Sequence, residues 1–240
     1  YSLMDKYLLT FTLRDDASSR FAKDKRWGLF PSLALGWKIN EEGFMKDFSK
    51  LDELKLRLGW GVTGQQDINQ GDYPYLSFYR DGKGGAMYPS YDAAGNVTWV
   101  NVMAPTAANP NLKWETNLNF NVGIDFSLFN NRFSGSFDFF TRRSKDLLYS
   151  RPIAPSLGYG SIDENVGALK NTGIEMVLNG TIINQNGWVW KLGMNLTHYK
   201  NKVTDLPLKD MPRSGVNKLQ VGRSVYDFYM ICLLYTSPSP

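Results

Sequence analysis

With one histidine and one cysteine among 240 residues, this chain has little with which to make or break bonds. His198 lacks the second histidine or the cysteines that a metal site needs. The glycine-rich DGKGG, Asp81–Gly85, lacks the GxxxxGK[ST] spacing of a phosphate loop and reads as a loop tip. Asn96, Asn179 and Asn195 each open an N-x-[ST] triplet. Asn179 and Asn195 fall inside strand-like segments, so all three matches are read as chance. No enzyme activity, cofactor or metal is expected.

What remains is binding chemistry. Residues 63–113 form a connection of about fifty residues, long enough to demand a lid or binding role. It carries Tyr73, Tyr75, Phe78, Tyr79, Tyr88, Tyr91 and Trp99 among glycines and polar groups. Aromatic rings stack on the apolar faces of sugars while Asp, Asn, Gln and Arg bond their hydroxyls. The competing account is that these rings pack the loop on itself or against a partner. A second set, Arg57, Glu115, Asn117, Asn119, Asp125, Asp138, Arg142, Glu175 and Lys191, lies on the polar side of alternating segments. Such groups form structural salt bridges inside a barrel or line a hydrated, lumen-facing path.

The elements that position them are strands. From Trp114 to Leu128 every second residue is apolar or nearly so, and Glu115, Asn117, Asn119, Asn121, Gly123, Asp125 and Ser127 stand between. A period of two sends these sets to opposite faces of a pleated backbone. Six further segments share the pattern: KYLLTFTLR, WGLFPSLALGWKI, LKLRLGWGV, the stretch after Arg132, GIEMVLNGTI and WVWKLGMNLTHY. Pro31 predicts a bulge or a broken ladder in the second of these. Short FNNR and NQNG turns alternate with long connections, and EEGFMKDF predicts a helical turn between the second and third strands.

Composition sets outer limits. Hydrophobic residues make up 42% of the chain and charged residues 21%, which argues against disorder. The net charge of +4 is scattered, with no Lys/Arg cluster of the nucleic-acid type. No apolar run is long enough for a transmembrane helix, but a membrane barrel would show none.

Two features favour membrane over a soluble β-sandwich. The strands run for roughly ten residues, about what a tilted bilayer crossing needs, against five or six in soluble sheets. Their apolar side is almost free of ionised groups, as lipid would enforce at about 2–4 kcal/mol per midplane Arg or Lys. Trp27, Trp37, Trp60, Trp114, Trp188 and Trp190 fall near strand ends, where aromatic girdles sit. Seven strands with open edges cannot stand alone in hydrocarbon, so the chain is expected to be part of a larger barrel.

Six stretches, in order, resemble the SusC/RagA-type TonB-dependent outer-membrane transporters of Bacteroidota. They are DKYLLTFTLRDDASSRF, RWGLFPSLALGWKINEEGFM, LDELKLRLGWGVTGQQDI, NPNLKWETNLNFNVGIDFSLFNNRFSGSFDFF, NVGALKNTGIEMVLNG and VGRSVYDFY. The resemblance implies an all-β fold, about seven strands of a 22-strand antiparallel barrel with long extracellular loops and short periplasmic turns. It implies an outer-membrane location, a SusD-like surface lipoprotein partner and a TonB complex acting through a plug outside this fragment. The cargo it implies is an oligosaccharide or peptide. Residues 1–230 are assigned to the barrel domain. Residues 231–240, ICLLYTSPSP, lose the alternation and are expected to be a sequencing or frame artefact, taking Cys232 with them. A soluble carbohydrate-binding sandwich and a passive porin are the alternative functions.

Overall fold

The computed structural model describes residues 1–45, 48, 50–67, 73–77, 79–80, 87–101, 104–105, 107–157, 160–207, 210–212 and 218–229. Of residues 79–80, 87–88, 101, 104–105, 155 and 210–212 it describes the backbone only. Phe78, the Asp81–Gly85 stretch and the tail at 231–240 therefore lie outside the described residues.

Eight strands form one antiparallel meander in which each pairs with the next. They are β1 (Ser2–Leu3), β2 (Tyr7–Ala17), β3 (Trp27–Lys38), β4 (Leu51–Gln65), β5 (Glu115–Leu128), β6 (Phe133–Lys145), β7 (Ala168–Gln185) and β8 (Trp188–Asp205). The strand missing from the sequence expectation is β1, whose two residues are too few to show a period. β2, β4, β7 and β8 outrun the expected segments because ladder pairing continues after the apolar residues stop, while β3 and β5 match theirs to within one residue. β7 and β8 each reach 18 residues. Pro31 leaves the register with β2 unbroken, Leu13 standing opposite it, but the ladder between β3 and β4 covers only Ser32–Lys38 and so stops at Pro31 as expected.

Residues 4–6, 39–50, 129–132 and 186–187 turn the chain at one end of the sheet. The connections 18–26, 66–114 and 146–167 lie at the other end. Tight turns need residues that tolerate φ > 0, and Asn186 and Gly187 supply φ of 52° and 82° between β7 and β8. The expected helical turn is two short 3-10 turns, Ile39–Glu41 and Gly43–Met45.

Register fixes the faces. Leu9, Leu35, Leu58, Val122, Phe139, Ile174 and His198 stand in one row across β2 to β8. Thr12, Ser32, Gly61, Asn119, Arg142, Asn171 and Asn201 form a row on the opposite face. The apolar face is bare: Phe11 is 63% exposed and Leu192 57%. Buried apolar side chains among the described residues are only Phe21, Phe30, Leu112, Ala168 and Val203. Among the described residues no second sheet covers the apolar face, and hydrocarbon is the solvent that suits it. Among the described residues β1 and β8 are the outer strands of the sheet, as in an arc of a larger wall, and residues 222–223 bond the edge of β8 at Val203.

Three expectations are corrected. The outward face is not free of charge: toward the long-connection end it carries Arg143, Lys145, Lys170, Lys200 and Lys202. These residues belong to the strand ends that apolar alternation does not mark. Trp114 leaves the girdle and packs inside the loops, its Nε1 donating to the Arg26 carbonyl at 2.8 Å. His198, which the alternating stretch Trp188–Tyr199 places near a strand end on the outward side, is not at one, since β8 continues to Asp205.

Candidate functional site

The polar face gathers its charges into one network. Arg57 on β4 donates from Nε and Nη2 to the two carboxylate oxygens of Asp125 on β5, both at 2.7 Å. Nη2 also reaches Asp138 on β6 at 3.0 Å. Gly123 lies between Arg57 and Asp138 in register. A Cβ there would sit 2.7 Å from Arg57 Nη2, so only glycine leaves room for the guanidinium to cross the strand.

Other expected inward residues pair locally. Arg142 Nε donates to Asn119 Oδ1 at 2.8 Å, and Asn117 bonds Ser144. Glu115 accepts the Leu148 amide at 3.3 Å, tying the strand to the loop above it. Glu175 lies opposite Asp138, and Lys191 lies opposite Thr181 near the short-turn end. Both are exposed; Glu175 borders the Arg57 network through Asp138, and Lys191 lies away from it. Sequence pattern does not single out Asn171 or Asn201, yet Asn201 Nδ2 donates to Asn171 Oδ1 at 2.6 Å.

The aromatic set does not form one cluster. Tyr73 and Tyr75 meet edge to face, 6.4 Å between centroids. Tyr91 and Trp99 belong to a separate hairpin, Met87–Tyr91 paired with Val97–Asn101. Pro89 opposite Trp99 and Tyr91 opposite Val97 share one face. Tyr91 is 69% exposed and Trp99 64%. The hairpin tip is held by Asp92, whose Oδ1 accepts the Ala94 and Asn96 amides at 2.9 and 2.8 Å. Those bonds, with one from the Asn96 side chain as the largest, hold the Asp92 carboxyl below its usual range. Tyr79 and Tyr88 enter short ladders opposite Pro105 and Val100.

A loop scaffold supports this end. Asn165 donates to the carbonyls of Lys113 and Asp146 at 2.8 and 2.9 Å and accepts the Lys113 amide at 2.8 Å. Asn109 reaches the Asp163 carbonyl at 2.8 Å. Trp114 packs on Phe21 and Phe30, each centroid 5.4 Å away. In the Leu148–Pro152 and Ser161–Asn165 hairpin, Arg151 forks onto Glu164 with two bonds of 2.9 Å. That fork draws the Glu164 carboxyl down, while burial pushes Asp163 beside it up. A 250 Å³ cavity opens nearby between apolar Leu148, Leu169, Val203 and Val225, with Glu115 and Asp205 among its lining. Leu169 and Val203 stand opposite each other, inside β7 and β8, where the polar face turns apolar.

Comparison with known proteins accounts for this arrangement. Residues 1–230 match the family model described as TonB dependent receptor-like, beta-barrel. The TonB-dependent receptor SusC of Bacteroides thetaiotaomicron is 45% identical over 98% of the chain and 24% of its own length. The TonB-dependent receptor P39 of Formosa agariphila is 35% identical over 95% of the chain and 21% of its own. The RagAB peptide importer in its closed-closed state superposes with a TM-score of 0.76, at 28% identity over 91% of this chain and 23% of that one. Its open-open state gives 0.75 at the same identity and coverage. The chain thus spans about a quarter of the length of these relatives. A bare apolar face, a charged opposite face and the match over residues 1–230 agree: the chain belongs to the TonB-dependent receptor β-barrel family, of SusC/RagA type, and forms wall of an outer-membrane barrel.

Proposed function

We propose that these strands are the fixed wall and extracellular loops of a TonB-dependent importer whose cargo is an oligosaccharide. The observation that carries the cargo class is the exposed face of Pro89, Tyr91, Val97 and Trp99 on a hairpin with a bonded tip. Flat rings held on a rigid element stack on sugar rings with little ordering cost. Wall rather than moving part is supported by the equal likeness to the closed-closed and open-open RagAB states. Cargo capture would involve a SusD-like lipoprotein, and opening would come from TonB acting on a plug. The Arg57 network lies on the face toward that plug and the cargo path. A peptide cargo is the second reading, favoured by the likeness to a peptide importer.

The test is calorimetric titration of the intact parent transporter with an oligosaccharide panel and a short-peptide panel. Saccharide binding weakened at least about tenfold by joint Tyr91→Ala and Trp99→Ala, from the loss of two stacking surfaces, supports the proposal. Peptide binding with no saccharide binding replaces it with the second reading.

A further inference from the structure

We propose that Arg143, Lys170 and Lys202 form a binding site for the phosphate groups of an anionic glycolipid in the outer leaflet. The three stand in one cross-strand row on the outward face, Arg143 opposite Lys170 and Lys170 opposite Lys202. Lys145 lies two ladder pairs nearer the long-connection end, and Lys200 two nearer the apolar band. Like charges directly opposite on a sheet repel. Among the described residues, none of these five cations has an ion pair, whereas Arg57 on the other face has two. The nearby carboxylates do not serve: Asp146 is bound to Lys113 at 2.9 Å, and Asp205 sits beyond the row, opposite Ala168. An external anion is what the row lacks.

Depth selects the anion. On the outward side of β7 the apolar residues Leu178, Met176 and Ile174 give way to Thr172 and Lys170, so Ile174 bounds the apolar band. The climb from it to Lys170 covers about 13 Å along the strand, or about 10 Å along the membrane normal at a usual tilt. That puts the cations at headgroup level. Long connections mark the extracellular side, so the headgroups are those of the outer leaflet. Leu118 stands opposite Arg143 in the row itself, and with Trp60, Phe120 and Thr141 from the next same-face row below it joins Arg143 and Lys170 around a shallow 250 Å³ cavity. Cations above apolar rings match a phosphorylated headgroup above its acyl chains. Thr141 and Thr172, hydrogen-bonded at 3.2 Å, add hydroxyls at the boundary.

The experiment places the intact parent barrel in phosphatidylcholine nanodiscs doped with bisphosphorylated lipid A or with the same lipid dephosphorylated. Native mass spectrometry counts the glycolipid retained. Each cation near an anionic headgroup layer is worth about fivefold. At least about tenfold preference for the phosphorylated lipid is therefore expected, lost in the triple variant R143Q/K170Q/K202Q and kept in the inward control K191Q. Millimolar inorganic phosphate should not displace the lipid. Equal retention of the two lipids by the unaltered barrel overturns the proposal, as does a triple variant that retains as much as the parent. Displacement by inorganic phosphate, or a second barrel occupying the row, also overturns it. Should the triple variant fail to fold, K170Q/K202Q and the two-lipid comparison on the unaltered barrel decide.

Discussion

Arg57 and Asp125, on neighbouring strands, meet through two bonds of 2.7 Å on the face opposite Leu58 and Ile124. The planar guanidinium fits both carboxylate oxygens at once, which a lysine cannot do. Both side chains are about one-third exposed, so water screens the pair. Arg57→Lys is therefore expected to destabilise the intact barrel by about 1 kcal/mol, and Arg57→Ala by about 2 kcal/mol, which also strands Asp138. Guanidinium unfolding of the parent, followed by loss of the heat-modifiable band, checks both values.

Gly123 is expected to be intolerant for the same reason. A methyl group there meets the guanidinium and the Asp138 carboxylate, so Gly123→Ala should cost about 1–3 kcal/mol. Gly180→Ala is the control: its nearest neighbour would be the Ile182 side chain at 3.7 Å, and it should stay within about 0.5 kcal/mol. The same unfolding assay reads both.

The faces and the up-and-down order were legible because alternation is a local property. Phe120, Val122 and Ile124 need only their sequence neighbours to declare a side. The charged network was legible as a set of residues but not as a geometry. Arg57, Asp125 and Asp138 are brought together by register, which depends on pairings between distant segments. The loop scaffold was illegible: Asn165 and Lys113 are 52 residues apart, and nothing in either residue type announces the bond. The basic row was missed because each cation sits where apolar alternation ends, and only the ladder brings Arg143, Lys170 and Lys202 side by side.

Asn165 ties Lys113 and Asp146 together with three side-chain bonds, two to Lys113 and one to the Asp146 carbonyl. Asn165→Ala removes them, at about 1 kcal/mol each. Hydrogen exchange at Lys113 and Leu148 should rise by at least about tenfold, with β5 itself unchanged. Unchanged exchange at Lys113 would show that Trp114 alone anchors the loop.

The hairpin of Arg151 and Asp163 should respond to pH in two opposite ways. Glu164 has a folded pKa below its ordinary 4.5, chiefly through Arg151, so its stabilisation is present above that value and fades as pH falls through the folded pKa. Asp163 has a folded pKa above its ordinary 3.8, chiefly through burial, so its contribution is present at low pH and fades as pH rises through the folded pKa. Hydrogen exchange of residues 148–165 between pH 3 and 7 should therefore lose its acid-side destabilisation in Glu164→Gln. Asp163→Asn should instead protect the hairpin near neutrality.

The central claim is that lipid bathes one side of β5 and water the other. Nitroxide labels at 118, 120, 122 and 124, and at 117, 119, 121 and 125, in the intact parent reconstituted into bilayers, address it site by site. Collision rates with oxygen should peak at the even positions, and those with a charged nickel chelate at the odd ones. Equal oxygen access on both parities, or a peak at Asn119 and Asn121, would contradict the account.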